Sequence, residues 1–426
     1  MASIKGRALG GALLAAGLAA APARADGPHV LVTGRWDNTL IVVDLARAAD
    51  PRNDGTPNAV VNRLRVTPDI VVDGAAVPAA GQPVNVVVGP NRDVAYVVNH
   101  SGRVPAAVSR AFQHGHPGTV TVVDLARALD PAANGTLAAV RAVHDTGGAG
   151  PVGFAATPDG RHGFVAHAER HGDEDGGNLV TVLDLATGAV VGRVELALGS
   201  PGFPCPPATV PHAAPHPDFG CFPDTNGLAY SPVGGGTLIG GNGGTDDVSI
   251  IDVRRAIAGE PGAELARVPI DTGAFGVAIS PDGRLAAVAA RESARTGAEG
   301  STVSIIDIAR AREGAAGAEV ARVRIGTDDP ANRPARTFSA AFTPDGRRLL
   351  VSGFRSNTLS VVDVARALAR DPGAEETRLV LETPDGRPSR PRGIAITADG
   401  TRAAVTGAPR SGPGSSVLWV VDLERM

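Results

Sequence analysis

A short strand motif that ends in aspartate recurs along the chain and limits what it can fold into. Each copy has four mostly aliphatic residues followed by Asp, a composition typical of a buried strand. The copies are Leu40–Asp44, Val120–Asp124, Val180–Asp184, Val248–Asp252, Val303–Asp307, Leu359–Asp363 and Leu418–Asp422. Regular internal repetition of this kind indicates a repeat architecture.

The fullest copy of the repeat is Ser339–Val364, which holds three strand-like runs around the turn Pro344-Asp345-Gly346. Pro presets φ, Asp bonds its own backbone and Gly accepts a positive φ, so this turn suits a tight hairpin. A fourth run follows the Asp in most copies, often after a DLARA or DVARA link in which Asp caps a short helical turn. Seven such units predict an all-β fold, a seven-bladed β-propeller of four-stranded antiparallel blades.

The repeat is similar to that of the YVTN family of propellers. Ala95–Asn99 matches the YVTN-like strand, and Asn357–Val361 matches the NTVSV piece that follows it in the family. The resemblance covers almost the whole chain after the N-terminal segment. It implies a propeller fold and says little about activity.

The two ends of the repeat array lack a strand each. The chain begins on a second-type strand, His29–Thr33, and stops after a third-type strand, Leu418–Asp422. The first blade therefore has no obvious inner strand and the last no obvious outer strand, which leaves open how the ring closes.

The N-terminus has the pattern of a cleavable secretory signal. Lys5 and Arg7 precede the apolar run Ala8–Ala21, and Ala23-Arg24-Ala25 fits a cleavage site. We therefore expect residues 1–25 to be a signal peptide and 26–426 a single propeller domain in the periplasm or outside the cell. No later run is long and apolar enough to cross a bilayer.

Composition excludes some classes of function. Net charge is −4, no basic stripe is present, and the chain has two Tyr and two Trp, which argues against a nucleic-acid partner. The two cysteines, Cys205 and Cys221, predict a disulfide in an exported protein. A metal or redox role for the pair is the alternative.

The predicted blades carry their long insertions on one face. In a blade with strands A to D from the inside outward, the B–C loops and the links from D to the next A share a face. That face, here called the loop-rich face, receives the segments Pro68–Gln82, Asn99–Gly118, His167–Asn178, Gly199–Thr225, Arg291–Ser301 and Gly326–Thr337. Varied loops on a rigid scaffold are where sites usually form.

Histidines concentrate in three of these loops, in blades 2 to 4. They are His100, His114, His116, His167, His171, His212 and His216. Imidazole is a common ligand of Zn and Cu, so these residues predict a Cu or Zn site. Nearby carboxylates that suit ligand, supporting or general-base roles are Glu169, Asp173, Glu174, Asp175 and Asp218. The alternative is that all seven are ordinary surface histidines.

Arginines mark the same face in blades 5 to 7 and suit an anionic group opposite the histidines. They are Arg333, Arg336, Arg355, Arg390 and Arg392. Ordinary solvated charge is the competing interpretation. The acidic stretch Gly172–Asn178 has the oxygen donors of a calcium site, or is a solvated turn.

Three functions fit this pattern, and no catalytic triad or cofactor motif decides whether the chain is an enzyme. The first is an exported cell-envelope propeller that binds a protein or small-molecule ligand, or acts as a scaffold, through the loop-rich face. The second is a Cu- or Zn-dependent periplasmic oxidoreductase that uses the histidines of blades 2–4. The third is a lactonase-like hydrolase, for which Asn226 and Arg392 are candidates at the inner-strand ends.

Overall fold

The structure is a computed structural model. It describes residues 2–5, 18–24, 27–106, 116–170, 173–201, 221–293, 296–326, 334–383, 385–409 and 416–426. For 2–5, 18–24, 27, 170 and 173–176 the description concerns the main chain alone.

Strands dominate the described residues. In chain order they are β1 (Ala2–Lys5), β2 (Leu18–Arg24), β3 (Gly27–Gly34), β4 (Thr39–Asp44), β5 (Val60–Arg65), β6 (Ile70–Val72), β7 (Ala75–Val77), β8 (Ala79–Val88), β9 (Val94–Pro105), β10 (Pro117–Asp124), β11 (Val140–Ala149), β12 (Pro151–Ala156), β13 (His162–Arg170), β14 (Asp173–Asp184), β15 (Val190–Glu195), β16 (Thr225–Ser231), β17 (Thr237–Asn242), β18 (Asp247–Asp252), β19 (Glu264–Pro269), β20 (Ala274–Ile279), β21 (Leu285–Ala290), β22 (Thr302–Asp307), β23 (Glu319–Arg324), β24 (Thr337–Phe342), β25 (Arg348–Gly353), β26 (Thr358–Asp363), β27 (Glu375–Glu382), β28 (Pro391–Ile396), β29 (Arg402–Gly407) and β30 (Val417–Asp422).

Short helices occupy several of the C–D links. They are α1 (Leu45–Ala48), α2 (Leu125–Ala128), α3 (Val253–Ala258), α4 (Ile308–Arg312) and α5 (Val364–Leu368), with 3₁₀ turns at Pro51–Asn53, Pro131–Ala133 and Val233–Gly235. The aspartate that ends the third strand caps each of the five α-helices, as expected: Asp307 Oδ1, for example, accepts from the Arg310 N–H at 3.1 Å.

The sheets form a seven-bladed β-propeller, which confirms the predicted fold. Blades 1 to 6 are β2–β5, β8–β11, β12–β15, β16–β19, β20–β23 and β24–β27, each an antiparallel four-stranded sheet in sequence order, and blade 7 is β28–β30. Strand β1 pairs in parallel with β27 at the outer edge of blade 6, and β6 and β7 form a hairpin between blades 1 and 2. No helix among the described ranges is long and apolar enough to span a membrane.

The ring closes between blades 7 and 1. The inner strands β28 and β2 contact each other, as do β2 and β8. Behind them Ala404 and Leu418 of blade 7 share one buried cluster with Val30, Val32 and Ile41 of blade 1. Burial of apolar side chains between successive blades thus continues across the junction.

The inner position of blade 1 is filled by a segment in which sequence analysis saw no strand. The main chain of Leu18–Arg24 pairs with β3 there, although it lies inside the predicted signal peptide. Cleavage after Ala25 would remove this strand, and the cleavage stays a prediction. Blade 7 has no fourth strand among the described residues, in line with the sequence.

The predicted Pro-Asp-Gly turn owes its geometry to one carboxylate. Asp345 Oδ1 accepts from the Thr343 hydroxyl at 2.6 Å and from the Arg347 N–H at 3.0 Å. Gly346 follows with a φ of 70°, which a glycine adopts without strain. These hydrogen bonds, the Thr343 hydroxyl first, lower the pKa of Asp345. The turns at Asp159, Asp282 and Asp399 are built in the same way and have the same direction of shift.

Replacing Asp345 by Ala should therefore lower stability in a pH-dependent way. A lowered folded-state pKa stabilises the fold above the unfolded value, near pH 4, and this contribution disappears as pH falls through the folded value. We expect a loss of about 0.5–1 kcal/mol at pH 7, small because the turn is exposed. Urea unfolding from pH 7 to pH 3 measures it. The exposed Glu195→Gln serves as control, and a deficit that stays constant down to pH 3 would contradict the account.

Candidate functional site

One register is repeated from blade to blade and defines the mouth of the central channel on the loop-rich face. In each case a residue near the loop-rich end of the inner strand (A) pairs with a residue near the same end of the neighbouring strand (B). The pairs are Pro83↔Asn99, Pro151↔His167, Thr225↔Asn242, Ala274↔Ala290, Thr337↔Gly353 and Pro391↔Gly407. Equivalent residues of neighbouring blades therefore lie at the same height around the channel.

Two sets of equivalent positions follow from this register. The residues that follow the paired inner-strand positions are Val84, Val152, Asn226, Phe275, Phe338 and Arg392. The residues that follow the paired B-strand positions are Arg35, His100, Ala168, Gly243, Arg291, Phe354 and Ala408. We call these thirteen residues the mouth positions. In blades 5 to 7 arginine or phenylalanine occupies every mouth position except Ala408.

Phenylalanine and arginine alternate in this sector. The Phe275 and Phe338 ring centroids are 4.5 Å apart, and Phe338 stacks on Phe354 at 5.9 Å. The Arg291 guanidinium lies 4.6 Å from the Phe275 centroid and 5.5 Å from that of Phe338. The Arg392 guanidinium lies 5.5 Å from the Phe338 ring centroid and 5.4 Å from the Phe354 ring centroid. Such cation–π contacts are worth about 0.5–2 kcal/mol each and fix the guanidinium planes.

Arg291 and Arg392 hold their charge at an electrostatic cost. Burial lowers the pKa of Arg291 to about 10. Burial, followed by repulsion from Arg291 and Arg35, lowers the pKa of Arg392 to about 10. Both guanidiniums therefore stay charged at neutral pH. Within the described ranges the Nε of each is buried and has no hydrogen-bond partner, while each side chain as a whole is partly open to solvent.

The outer arginines Arg336 and Arg355 have carboxylate partners, although burial and then repulsion from Arg291, Arg355 and Arg390 lower the pKa of Arg336 to about 10. Arg336 forms ion pairs with Glu292 and with Glu299, the latter at 3.5 Å. Arg355 Nε lies 3.0 Å from Glu299 Oε2. Arg336 and Arg355 thus contact carboxylates, whereas the structure shows no carboxylate on Arg291 or Arg392 among the residues it describes. The inner pair is where an external anion would be stabilised most.

The residue before the paired inner-strand position has a positive φ in blades 2, 3, 4, 6 and 7. Gln82 has a φ of 55°, Asp224 of 47°, Arg336 of 49° and Arg390 of 48°, where blade 3 has Gly150 at 53°. A non-glycine residue in this region costs about 1–3 kcal/mol, and such strain clusters at functional sites. Polar side chains are therefore retained at the mouth despite their cost to the backbone.

The arginine prediction is confirmed in position for four of its five residues. Arg336, Arg355, Arg390 and Arg392 all lie at this face, and the Arg390 guanidinium reaches 6.0 Å from the Phe354 centroid. Arg333 lies outside the described residues. Sequence analysis did not select Arg35, Arg291 or the three phenylalanines as site residues, although alignment of the repeats by register would have found them.

His100 and His167 lie close together in blades 2 and 3, but in strands rather than loops. The expectation of loops at Asn99–Gly118 and His167–Asn178 is corrected here, because β9 and β13 continue their pairing through both histidines. His100 Nε2 lies 3.1 Å from Glu169 Oε1, and both side chains are buried. Glu169 also acts electrostatically on Arg35, whose pKa is lowered chiefly by burial.

The His167 ring is held from both sides. Nδ1 lies 3.1 Å from the Ala149 carbonyl oxygen and Nε2 lies 3.0 Å from the Thr181 hydroxyl. Burial lowers the pKa of His167 to about 4, so the ring is neutral at pH 7. A carbonyl oxygen only accepts, so Nδ1 carries the proton. The Thr181 hydroxyl covers Nε2 and donates its own proton to the Thr146 carbonyl oxygen at 2.7 Å. In this arrangement neither nitrogen is open to a metal.

The other predicted ligands add no metal-binding group within the described residues. His116 is half-buried, and its carbonyl accepts from the Gly150 N–H at 3.0 Å. The residues outside the described ranges are His114, His171, His212, His216, Cys205 and Asp218. No group of three or more His, Cys, Asp or Glu side chains with metal-binding geometry occurs in the described part of the chain. Cys221 is buried, and its disulfide to Cys205 stays a prediction, as does the metal site.

Asn226, the other hydrolase candidate, takes part in a local contact. Its Nδ2 donates to the Asp224 carbonyl at 2.7 Å. It lies at the mouth as expected for an inner-strand end, in the blade between the histidine and arginine sectors. For the acidic stretch Gly172–Asn178 the side chains of 173–176 are not described, so a calcium site there stays a hypothesis.

Comparison with known proteins supports the fold. No family model and no curated protein matches the sequence. Among solved structures, Kuenenia stuttgartiensis hydrazine synthase is similar, with a TM-score of 0.58, 16% identity, and coverage of 98% of this chain and 97% of that chain. A streptogramin B lyase structure gives a TM-score of 0.55 with 10% identity and coverage of 99% and 96%. In all, 1277 chains match, and likenesses at such low identity show a common fold rather than an activity.

Replacing Arg390 by Gly should relieve the backbone strain at this position without destabilising the fold. Its N–H donates to Asn357 Oδ1 at 3.1 Å, a bond that glycine keeps. We expect Arg390→Gly to leave the free energy of unfolding unchanged or to raise it by up to about 1 kcal/mol. The matched control Arg402→Gly, at the start of β29, should lose about 0.5–1 kcal/mol. Equal losses in urea unfolding would show that position 390 is not strained.

The histidine hypothesis makes a prediction about metal content. A Cu or Zn site would appear as about one metal ion per chain in elemental analysis of protein purified without a tag or chelator. Because both His167 nitrogens are covered by neighbouring groups, His167→Gln should keep the metal, whereas His171→Ala with His212→Ala should lose it. Protein that stays metal-free after incubation with Cu or Zn would end the hypothesis.

Proposed function

We propose that this chain is an exported propeller of the cell envelope, built from YVTN-type repeats, that binds an anionic small-molecule ligand at the channel mouth. The proposal rests chiefly on one observation. Arg291 and Arg392 are oriented by three phenylalanine rings and lack a carboxylate partner within the described residues. The YVTN-like repeat and the signal-like N-terminus support the cellular setting.

The chemistry of the mouth favours a carboxylate or a phosphate. Guanidinium groups present paired N–H donors that match both anions, and a charge-assisted hydrogen bond is about twice as strong as a neutral one. Burial and, after it, repulsion from Arg291 lower the pKa of Arg392, so an anion near both guanidiniums would offset an existing cost. The phenylalanines exclude water on one side, which strengthens the attraction further.

Binding is favoured over catalysis because the described mouth has a recognition surface and no activated nucleophile. Of the mouth positions that the structure describes, His100 contacts a carboxylate, that of Glu169. The oxidoreductase and lactonase-like alternatives need a metal or a charged constellation, and no observation in the described residues favours either. A scaffold role with a protein partner would use the same face.

The test compares citrate and inorganic phosphate as probes of the arginine pair. Isothermal titration of wild-type protein should give binding that weakens with added NaCl, because salt screens exposed charge. Arg291→Gln or Arg392→Gln should each weaken binding about 10- to 100-fold, the effect of losing a hydrogen bond to a charged group. Arg254→Gln, which removes an exposed arginine of α3 on the opposite face, should change nothing.

Ligand-free stability gives a second readout for the same variants. Arg392→Gln removes a repelling, poorly solvated charge together with two cation–π contacts, so these effects oppose each other and the ligand-free variant should unfold within about 1 kcal/mol of wild type in urea. Citrate should then stabilise wild type but not the variant. No binding of citrate or phosphate by wild type, or equal binding by Arg392→Gln, would refute the proposed function.

A further inference from the structure

A groove on the loop-rich face lies between blades 1 and 2, beside the arginine sector. Its volume is about 740 Å³, within the range of small-molecule sites. Trp36 and a set of small apolar residues, Pro78, Ala79, Ala80 and Ala106, line much of it. The groove is therefore a mainly apolar surface next to a cationic one.

Arg35 belongs to both the groove and the channel mouth. Its guanidinium lies 5.2 Å from the Trp36 ring centroid, and its Nε donates to Gln82 Oε1 at 3.2 Å. Arg35 is near enough to Arg392 to lower the pKa of that residue. Arg35 thus joins the groove to the channel mouth; its hydrogen-bond partner is a neutral amide, and Glu169 acts on it electrostatically.

The other charged side chains that line the groove are Arg65, Asp69 and Asp37. Arg65 and Asp69 neutralise each other through a 2.5 Å ion pair. Asp37 is half-buried and adds a carboxylate to the groove wall. The groove therefore offers apolar contact beside charged side chains of both signs, and Arg35 is the cation that it shares with the channel mouth.

We propose that the groove holds the apolar body of a ligand whose anionic group binds Arg35 and Arg392. The ligand class is a carboxylate or phosphate ester with an extended acyl or aryl chain. This inference rests on the proposed function, since it places the anion in the same arginine sector. It adds that affinity grows with the apolar length of the ligand.

The fluorescence of Trp36 can report ligand binding in this groove. Of its two tryptophans, Trp419 is buried in the core and its Nε1 donates to the Glu382 carbonyl at 3.0 Å. Trp36 is half-buried and lines the groove. A ligand-dependent change in tryptophan emission that disappears in Trp36→Phe therefore reports occupancy of the groove.

The experiment titrates full-length protein with acetate, butanoate and octanoate below the micelle concentration. We expect affinity to rise roughly threefold for each methylene that the groove covers, with a change in Trp36 emission for octanoate alone. Ala106→Phe, which fills the groove from its rim, should remove the advantage of octanoate and leave phosphate binding unchanged. Arg392→Gln should weaken all three carboxylates by a similar factor.

The outcomes separate the groove from the anion site. Equal affinity for acetate and octanoate, both lost in Arg392→Gln, would overturn the groove and leave the proposed function standing. If Arg392→Gln leaves octanoate affinity unchanged, the proposal that one ligand occupies both the groove and the channel mouth is overturned. No binding of any carboxylate or of phosphate to wild type would overturn both proposals.

Discussion

Pairing between each inner strand and the B strand beside it is the constraint on which the site depends. The repeated register, for example Thr337 with Gly353 and Pro391 with Gly407, places equivalent residues at one height around the channel. Seven tightly packed blades make this ring rigid. A substitution at a mouth position therefore changes the chemistry of the channel without changing the scaffold. Phe354 and Arg291, for example, occupy equivalent positions in adjacent blades.

The aromatic and cationic side chains of blades 5 to 7 depend on one another. Phe338 is shared by Arg291 and Arg392, so the ring face holds together two charges that repel. The carboxylates of Glu292 and Glu299 stabilise the outer arginines without a described contact to the inner pair. The free energy of the ligand-free site is therefore higher than that of the same site with an anion, and this difference is the source of affinity in our account.

The sequence predicted most of the fold because its signals are local. The Asp-terminated strand and the Pro-Asp-Gly turn each act through hydrogen bonds within a few residues, as at Asp345, so they are visible in one repeat.

The inner strand of blade 1 was missed because Leu18–Arg24 reads as the apolar part of a signal peptide. The arginine sector was predicted in part from Arg336 and Arg392. Phe275 and Arg291 were missed because only the cross-strand register, which no single motif encodes, marks them as mouth positions. The histidine loops were misjudged because pairing continued through His100 and His167.

Direct location of a bound anion tests the central claim best. Crystals of the full chain grown in or soaked with sodium bromide, with data collected at the bromine edge, would show bromide through its anomalous scattering. We predict an anomalous peak between the guanidinium groups of Arg291 and Arg392, absent in Arg392→Gln crystals grown in the same way. Bromide peaks confined to other arginines, with none at the inner pair, would contradict the account.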